Sequence, residues 1–154
     1  ANNVVAFPQP GRGYRRRSLW RRFPFVEQQS SSDCGLACVS MIARYWGRQF
    51  PLHVLRENAH VGRSGTSLKN LAKVSEAFGF SARPVRASFS RVADQPYPWI
   101  AHWQGDHYVV VYQSKRGRVL IADPAVGKRS ITIQEFQANW TNYALLLEPT
   151  DRLY

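Results

Sequence analysis

The sequence predicts an α+β domain in which an N-terminal helical half packs on an antiparallel β-sheet half. Three observations carry that expectation. Apolar residues recur at helical spacing as far as Gly79, short runs of β-branched and aromatic residues follow it, and Gly- or Pro-containing turn signals separate those runs. The 154 residues are 44% hydrophobic and 13% aromatic, enough for one domain with a substantial core. At this length roughly 68–70% of the unfolded chain's surface can be buried without staples.

Residues 1–22 carry Pro8, Pro10, Gly11 and Gly13 among arginines without a sustained period, which reads as a flexible basic arm or linker. The globular part, residues 23–154, opens on Phe23-Pro24-Phe25-Val26. Asp33 is the expected N-cap of a helix from Cys34 to about Trp46, ended by Gly47, with Leu36, Ala37, Met41, Ile42 and Tyr45 on its buried face. Pro51 suits the first turn of a short helix through Asn58. Gly62 and Gly65 mark a loop, after which Thr66-Ser67 cap a longer helix ending at Gly79, with Leu68, Leu71, Ala72, Val74 and Phe78 as its inner stripe. Five strands are expected: Ser81–Ala87, Trp99–Trp103, His107–Gln113, Val119–Ala122 and Tyr143–Leu147. Turns at Gln104-Gly105-Asp106, Lys115-Arg116-Gly117 and Pro124-Ala125-Val126-Gly127 divide them, and a helix at Gln134–Trp140 interrupts the series.

Charge and cysteine usage narrow the function class. Net charge is +11, and Arg12, Arg15, Arg16, Arg17, Arg21 and Arg22 precede the first acidic residue, Glu27. Clustered arginines attract phosphates, yet the globular part carries no helix-turn-helix, zinc-finger or aromatic-stacking signature, so no specific nucleic-acid partner is expected. The arm equally suits the anionic surface of an inner leaflet or a join to an upstream domain. Cys34 and Cys38, four apart on one helix, are not placed for a disulfide, which favours a reducing compartment. Cys-x3-Cys without a second pair is a weak zinc signal, and no metal or cofactor is expected. No window reaches the 18 apolar residues of a membrane span.

The chemistry centres on Cys34 in Gln28-Gln29-Ser30-Ser31-Ser32-Asp33-Cys34-Gly35. A thiol attacks an amide as thiolate, and a helix N-terminus with an adjacent imidazolium favours that form. The bland alternative is a small buried hydrophobe. Free N–H groups of the helix start, with the side-chain amide of Gln28, can form an oxyanion hole. Among His53, His60, His102 and His107, the last opens the most hydrophobic strand beside the Gly105-Asp106 turn, and His102 is its main rival as base. Asp123 closes the next strand, so the hairpin through Lys115–Gly117 brings it near His107, although it also suits an Asp-Pro turn.

Gln, Cys on a helix start, His on a strand and Asp on the next strand resemble the papain-like arrangement. The segments Gln28 to Cys38, His107-Tyr108-Val109-Val110-Val111 and Asp123-Pro124-Ala125-Val126-Gly127 resemble more closely the bacteriocin-processing cysteine peptidase domain of peptidase-containing ABC transporters. The resemblance covers about residues 24–150. It implies a domain at the cytoplasmic face of the bacterial cell membrane that removes the leader peptide of a bacteriocin-like precursor after a Gly-Gly type pair, beside the transmembrane and nucleotide-binding domains of a parent transporter. It further implies Cys34 as nucleophile, His107 as general base and acid, Asp123 as its orienter and Gln28 as oxyanion donor. Relatives that lack the cysteine only hold substrate, which is the alternative role. A glycine site calls for a narrow slot, for which Trp103 and Trp46 are candidate walls, as against ordinary core aromatics. With neither membrane spans nor a phosphate-binding Gly-rich loop, the chain is expected to be one domain of a longer protein.

Overall fold

A computed structural model of the chain describes residues 23–59 and 65–154. The basic arm at 1–22, His60 and Gly62 lie outside the described residues. Among the described residues, no helix is long and apolar enough to cross a membrane.

Helix α1 spans Cys34–Tyr45, entered through a 3-10 turn at Ser31–Asp33. Every residue from Cys34 to Ala43 is buried, so this helix forms the centre of the core rather than its lining. It stops where Gly47 takes φ 94°, a left-handed conformation that costs glycine nothing. The expected cap at its start is absent. Asp33 has helical dihedrals (φ −92°, ψ −1°) and makes no side-chain cap bond, because its carboxylate is engaged by Arg56. Helix α2 follows at Leu52–Glu57 with Pro51 as its N-cap, and helix α3 at Leu68–Ala77. Here the cap is real: the Asn70 N–H donates to Ser67 Oγ at 3.1 Å.

Six antiparallel strands then form one sheet in the order β1-β6-β2-β3-β4-β5. They are β1 Phe80–Arg86, β2 Trp99–Trp103, β3 His107–Lys115, β4 Arg118–Asp123, β5 Gly127–Thr132 and β6 Trp140–Pro149. Short helices α4 (Phe89–Val92) and α5 (Ile133–Asn139) occupy the connections. Strand β5, read from the sequence only as the end of a turn, is an edge strand whose Lys128, Arg129 and Ser130 carry no apolar alternation; Ile131 alone is buried.

Both faces of the sheet are covered, which is why β3 reads as a continuous apolar run. Tyr108, Val110 and Tyr112 face the helices and pack with Leu36, Met41, Ile42, Leu55 and Leu71. Val109 and Val111 face the other way, into a second core of Trp99, Trp103, Phe136 and Trp140 under α5. Gly35 is what lets α1 lie so close to its neighbours. A Cβ there would come within 3.2 Å of the Leu71 methyls and 3.3 Å of Tyr108 Cδ2.

Candidate functional site

Packing α1 on β3 sets the first residue of the helix against the first residue of the strand. Cys34, only 3% exposed, sits close enough to the His107 imidazole for the two to interact electrostatically. His107 Nε2–H donates to Asp123 Oδ1 at 2.6 Å, which leaves Nδ1 for the thiol. The hairpin between β3 and β4 fixes this pair, since Val110 lies opposite Ala122 and both partners sit beyond that rung. Asp123 also begins the turn that follows it: the Ala125 N–H donates to Oδ1 at 2.9 Å, and the Val126 N–H to its carbonyl. Asp123 Oδ1 thus lies within hydrogen-bond distance of both the His107 ring and the turn backbone.

The electrostatics follow from that geometry. Burial alone would lower the pKa of His107, but hydrogen bonds and attraction from Asp123 and Cys34 outweigh it and raise the value to about 9. The ring is therefore imidazolium at neutral pH, the form that pairs with a thiolate. Burial would push the Asp123 carboxyl up, yet its bonds from His107 and Ala125 bring it below the ordinary value. Cys38, fully buried one turn along α1, has its thiol pushed well up by desolvation. It is packing.

The rival base has a partner of its own. His102 Nδ1 lies 2.8 Å from Thr141 Oγ1, and burial lowers its pKa. His53 is exposed on α2. Gln28 is tied to the sheet side of the site by its backbone N–H, which donates to the Pro124 carbonyl at 3.0 Å, and its side-chain Oε1 is buried without a partner among the described residues.

An open cleft of about 430 Å³ reaches Cys34, walled by Gly65, Thr66, Asn70, His102, Asp106 and Tyr108. Trp103 and Trp46 are not among its walls. Trp103 packs on Phe136 in the second core, because Trp99, Ala101 and Trp103 share one face of β2 while Ile100 and His102 take the other. Trp46 lies twelve residues along α1, about 18 Å at 1.5 Å per residue, against Tyr45 and Tyr97. The period-2 parity of β2 was the signal that favoured His102 as a wall over Trp103.

Two further features escaped the sequence. Tyr108 OH donates to the Thr66 carbonyl at 2.9 Å, locking the chain before α3 onto β3. Arg56 forks onto Asp33, the residue before Cys34. Neither has a local sequence signature, because each joins residues more than twenty positions apart. Among the described residues, no three His, Cys, Asp or Glu side chains cluster to hold a metal ion.

Known proteins resemble this chain over most of its length. The lactococcin-G-processing and transport ATP-binding protein LagD of Lactococcus lactis is 38% identical over 130 residues, and the colicin V secretion/processing ATP-binding protein CvaB of Escherichia coli 32% over 129. These matches cover 80% and 84% of this chain but only 18% of each relative, so the chain spans less than a fifth of their length. Two solved structures are also similar. A double glycine motif protease from an AMS/PCAT transporter, crystallised with a leader peptide, superposes with TM-score 0.78 at 30% identity, over 82% of this chain and 91% of that one. The peptidase domain of Streptococcus ComA gives TM-score 0.78 at 29% identity, over 83% and 99%. The Peptidase C39 family model matches residues 22–152, and with nearly the whole described domain inside that match, the chain belongs to this family of cysteine peptidases.

Proposed function

We propose that this chain is the peptidase unit of a peptide exporter, cleaving the leader of a ribosomally made, bacteriocin-like precursor after a Gly-Gly type pair. The observation that carries the reading is the alignment of Asp123, His107 and Cys34, with Cys34 at the start of a buried helix and lining an open cleft. In the reaction, the Cys34 thiolate attacks the carbonyl carbon of the second glycine. The side-chain amide of Gln28 and backbone N–H groups at the start of α1 hold the oxyanion. His107 gives its proton to the leaving amine, then takes one from the water that hydrolyses the thioester, releasing the leader as a carboxylate. Asp123 keeps the imidazole in the tautomer and orientation that both steps need.

Thr66, Tyr108 and His102 line the cleft with Cys34, so they are the groups a substrate side chain would meet there. An acidic, amphipathic leader helix matches the +11 charge. The partners are the transmembrane and nucleotide-binding domains of the parent transporter, which sets the domain at the cytoplasmic face of the membrane with the basic arm against the inner leaflet. Incubating the chain with Gly-Gly leader peptides under reducing conditions, beside Cys34→Ala, tests the proposal by mass spectrometry. Cleavage after the second glycine by the unmodified chain alone is expected, and an intact peptide would refute it.

A further inference from the structure

The segment from Gln28 to Asp33 leads directly into Cys34, and two of its side chains are held from outside. Arg56, on the second turn of α2, donates from Nε to Asp33 Oδ1 at 3.2 Å and from Nη2 to Asp33 Oδ2 at 2.8 Å. The same Nη2 donates to Gln29 Oε1 at 2.9 Å. The Asp33 side chain is 2% exposed and that of Arg56 36%, so a partly solvated guanidinium reaches inward to a buried carboxylate. At the other end, Gln28 is fixed through its backbone to Pro124. A carboxylate in this place needs a reason, since it neither caps α1 nor faces solvent.

We propose that Arg56 is a positioning residue for the nucleophile: its fork onto Asp33 and Gln29 fixes the spacing between Gln28 and Cys34 and neutralises the buried carboxylate of the residue that precedes the thiol. Planar, bidentate and always charged, arginine does this in a way that lysine does not reproduce. Without it, a buried negative charge stands one residue from the atom that must carry negative charge in the reaction. The other ionisable groups around Cys34 are His107 and Tyr108 on β3, Asp123 on β4, His102 on β2, Asp106 in the turn between β2 and β3, and Cys38 on α1. None of them touches the Arg56 fork, so its effect is separable from theirs.

The inference rests on Cys34 being the nucleophile, and the experiment distinguishes the two. Leader-peptide kinetics and the pH profile of iodoacetamide alkylation at Cys34 are measured for the unmodified chain, Arg56→Ala, Arg56→Lys and Asp33→Asn. Arg56→Ala is expected to lower kcat by about 10²-fold with KM little changed, the order of loss seen when reacting groups are slightly misplaced. Its alkylation profile moves to higher pH. Arg56→Lys returns the profile towards that of the unmodified chain while kcat stays low, because charge is restored and the fork is not. Asp33→Asn moves the profile the other way, to lower pH, since the carboxylate is gone and the guanidinium remains. Should Arg56→Ala not fold, the lysine and asparagine variants decide the question. Profiles moving in the same direction in Arg56→Ala and Asp33→Asn, or unmoved in Arg56→Lys and Asp33→Asn with kcat unchanged, overturn the proposal. An unmodified chain that neither cleaves nor alkylates at Cys34 overturns the nucleophile assignment, and this proposal with it.

Discussion

The two walls of the cleft are built by different physics. On the sheet wall, His107 and Asp123 are held by backbone ladder bonds between adjacent strands only sixteen residues apart in sequence. On the helix wall, the neighbours of the site residues are held by side chains reaching across the fold, Arg56 to Asp33 and Gln29 and Tyr108 to Thr66, while Gln28 itself is tied to Pro124 through its backbone. A ladder is rigid and tolerant of substitution, because its bonds belong to the backbone. Side-chain clasps give finer placement, and one substitution can undo them. The sheet wall therefore supplies the proton relay, and the helix wall supplies the geometry of attack.

The largest effect is expected on the sheet wall. His107→Ala removes the general acid and base, so kcat should fall by about 10²–10⁴-fold. Alkylation of Cys34 at neutral pH should be lost with it, whereas His102→Ala should leave alkylation intact. The reverse result would move the base to His102. Stability carries the same signature. His107 is raised to about 9 from an unfolded value of about 6.5. A raised pKa means the folded state binds the proton more tightly, so this stabilisation is fully present below pH 6.5 and is lost as pH rises through 9. Tm measured from pH 6 to pH 10 should decline over that window in the unmodified chain and decline less in His107→Ala.

The helix wall comes next. Gln28→Ala should lower kcat by about 10²–10³-fold, the cost of one oxyanion donor, with leader affinity almost unchanged by titration. An equal loss of affinity would make Gln28 a substrate contact and remove it from the chemistry. Gly35→Ala probes the packing behind that wall. With Leu71 and Tyr108 already at 3.2 and 3.3 Å from the added methyl, a destabilisation of about 1–3 kcal/mol is expected from urea unfolding. A neutral result would mean that α1 can retreat from β3.

How much was legible in the sequence follows the same division. The His107–Asp123 pair could be read from hairpin arithmetic, and five of six strands from β-branched and aromatic runs, because strand pairing between neighbours is local information. The insertion of β6 between β1 and β2 is not local, and β5 carries too little apolar signal to be seen. Asp33 was misread for the same reason. An aspartate before a helix has a strong local preference for capping, and only a guanidinium twenty-three residues away redirects it. Trp103 was misplaced by counting aromatics near the strand rather than following the parity of β2.

Ser67 and Asp33 make the sharpest local contrast, since both precede a helix and both were expected to cap it. The Ser67 hydroxyl accepts the Asn70 N–H, so Ser67→Ala should cost about 1 kcal/mol of stability in urea unfolding. Its effect on kcat should be small, because α3 is held to the sheet independently through Tyr108 and Thr66. If Ser67→Ala instead reduced kcat with stability unchanged, the hydroxyl would be acting on substrate in the cleft that it borders. The helix wall would then hold its substrate with groups that also build the fold, and the separation between attack geometry and stability on that side would fail.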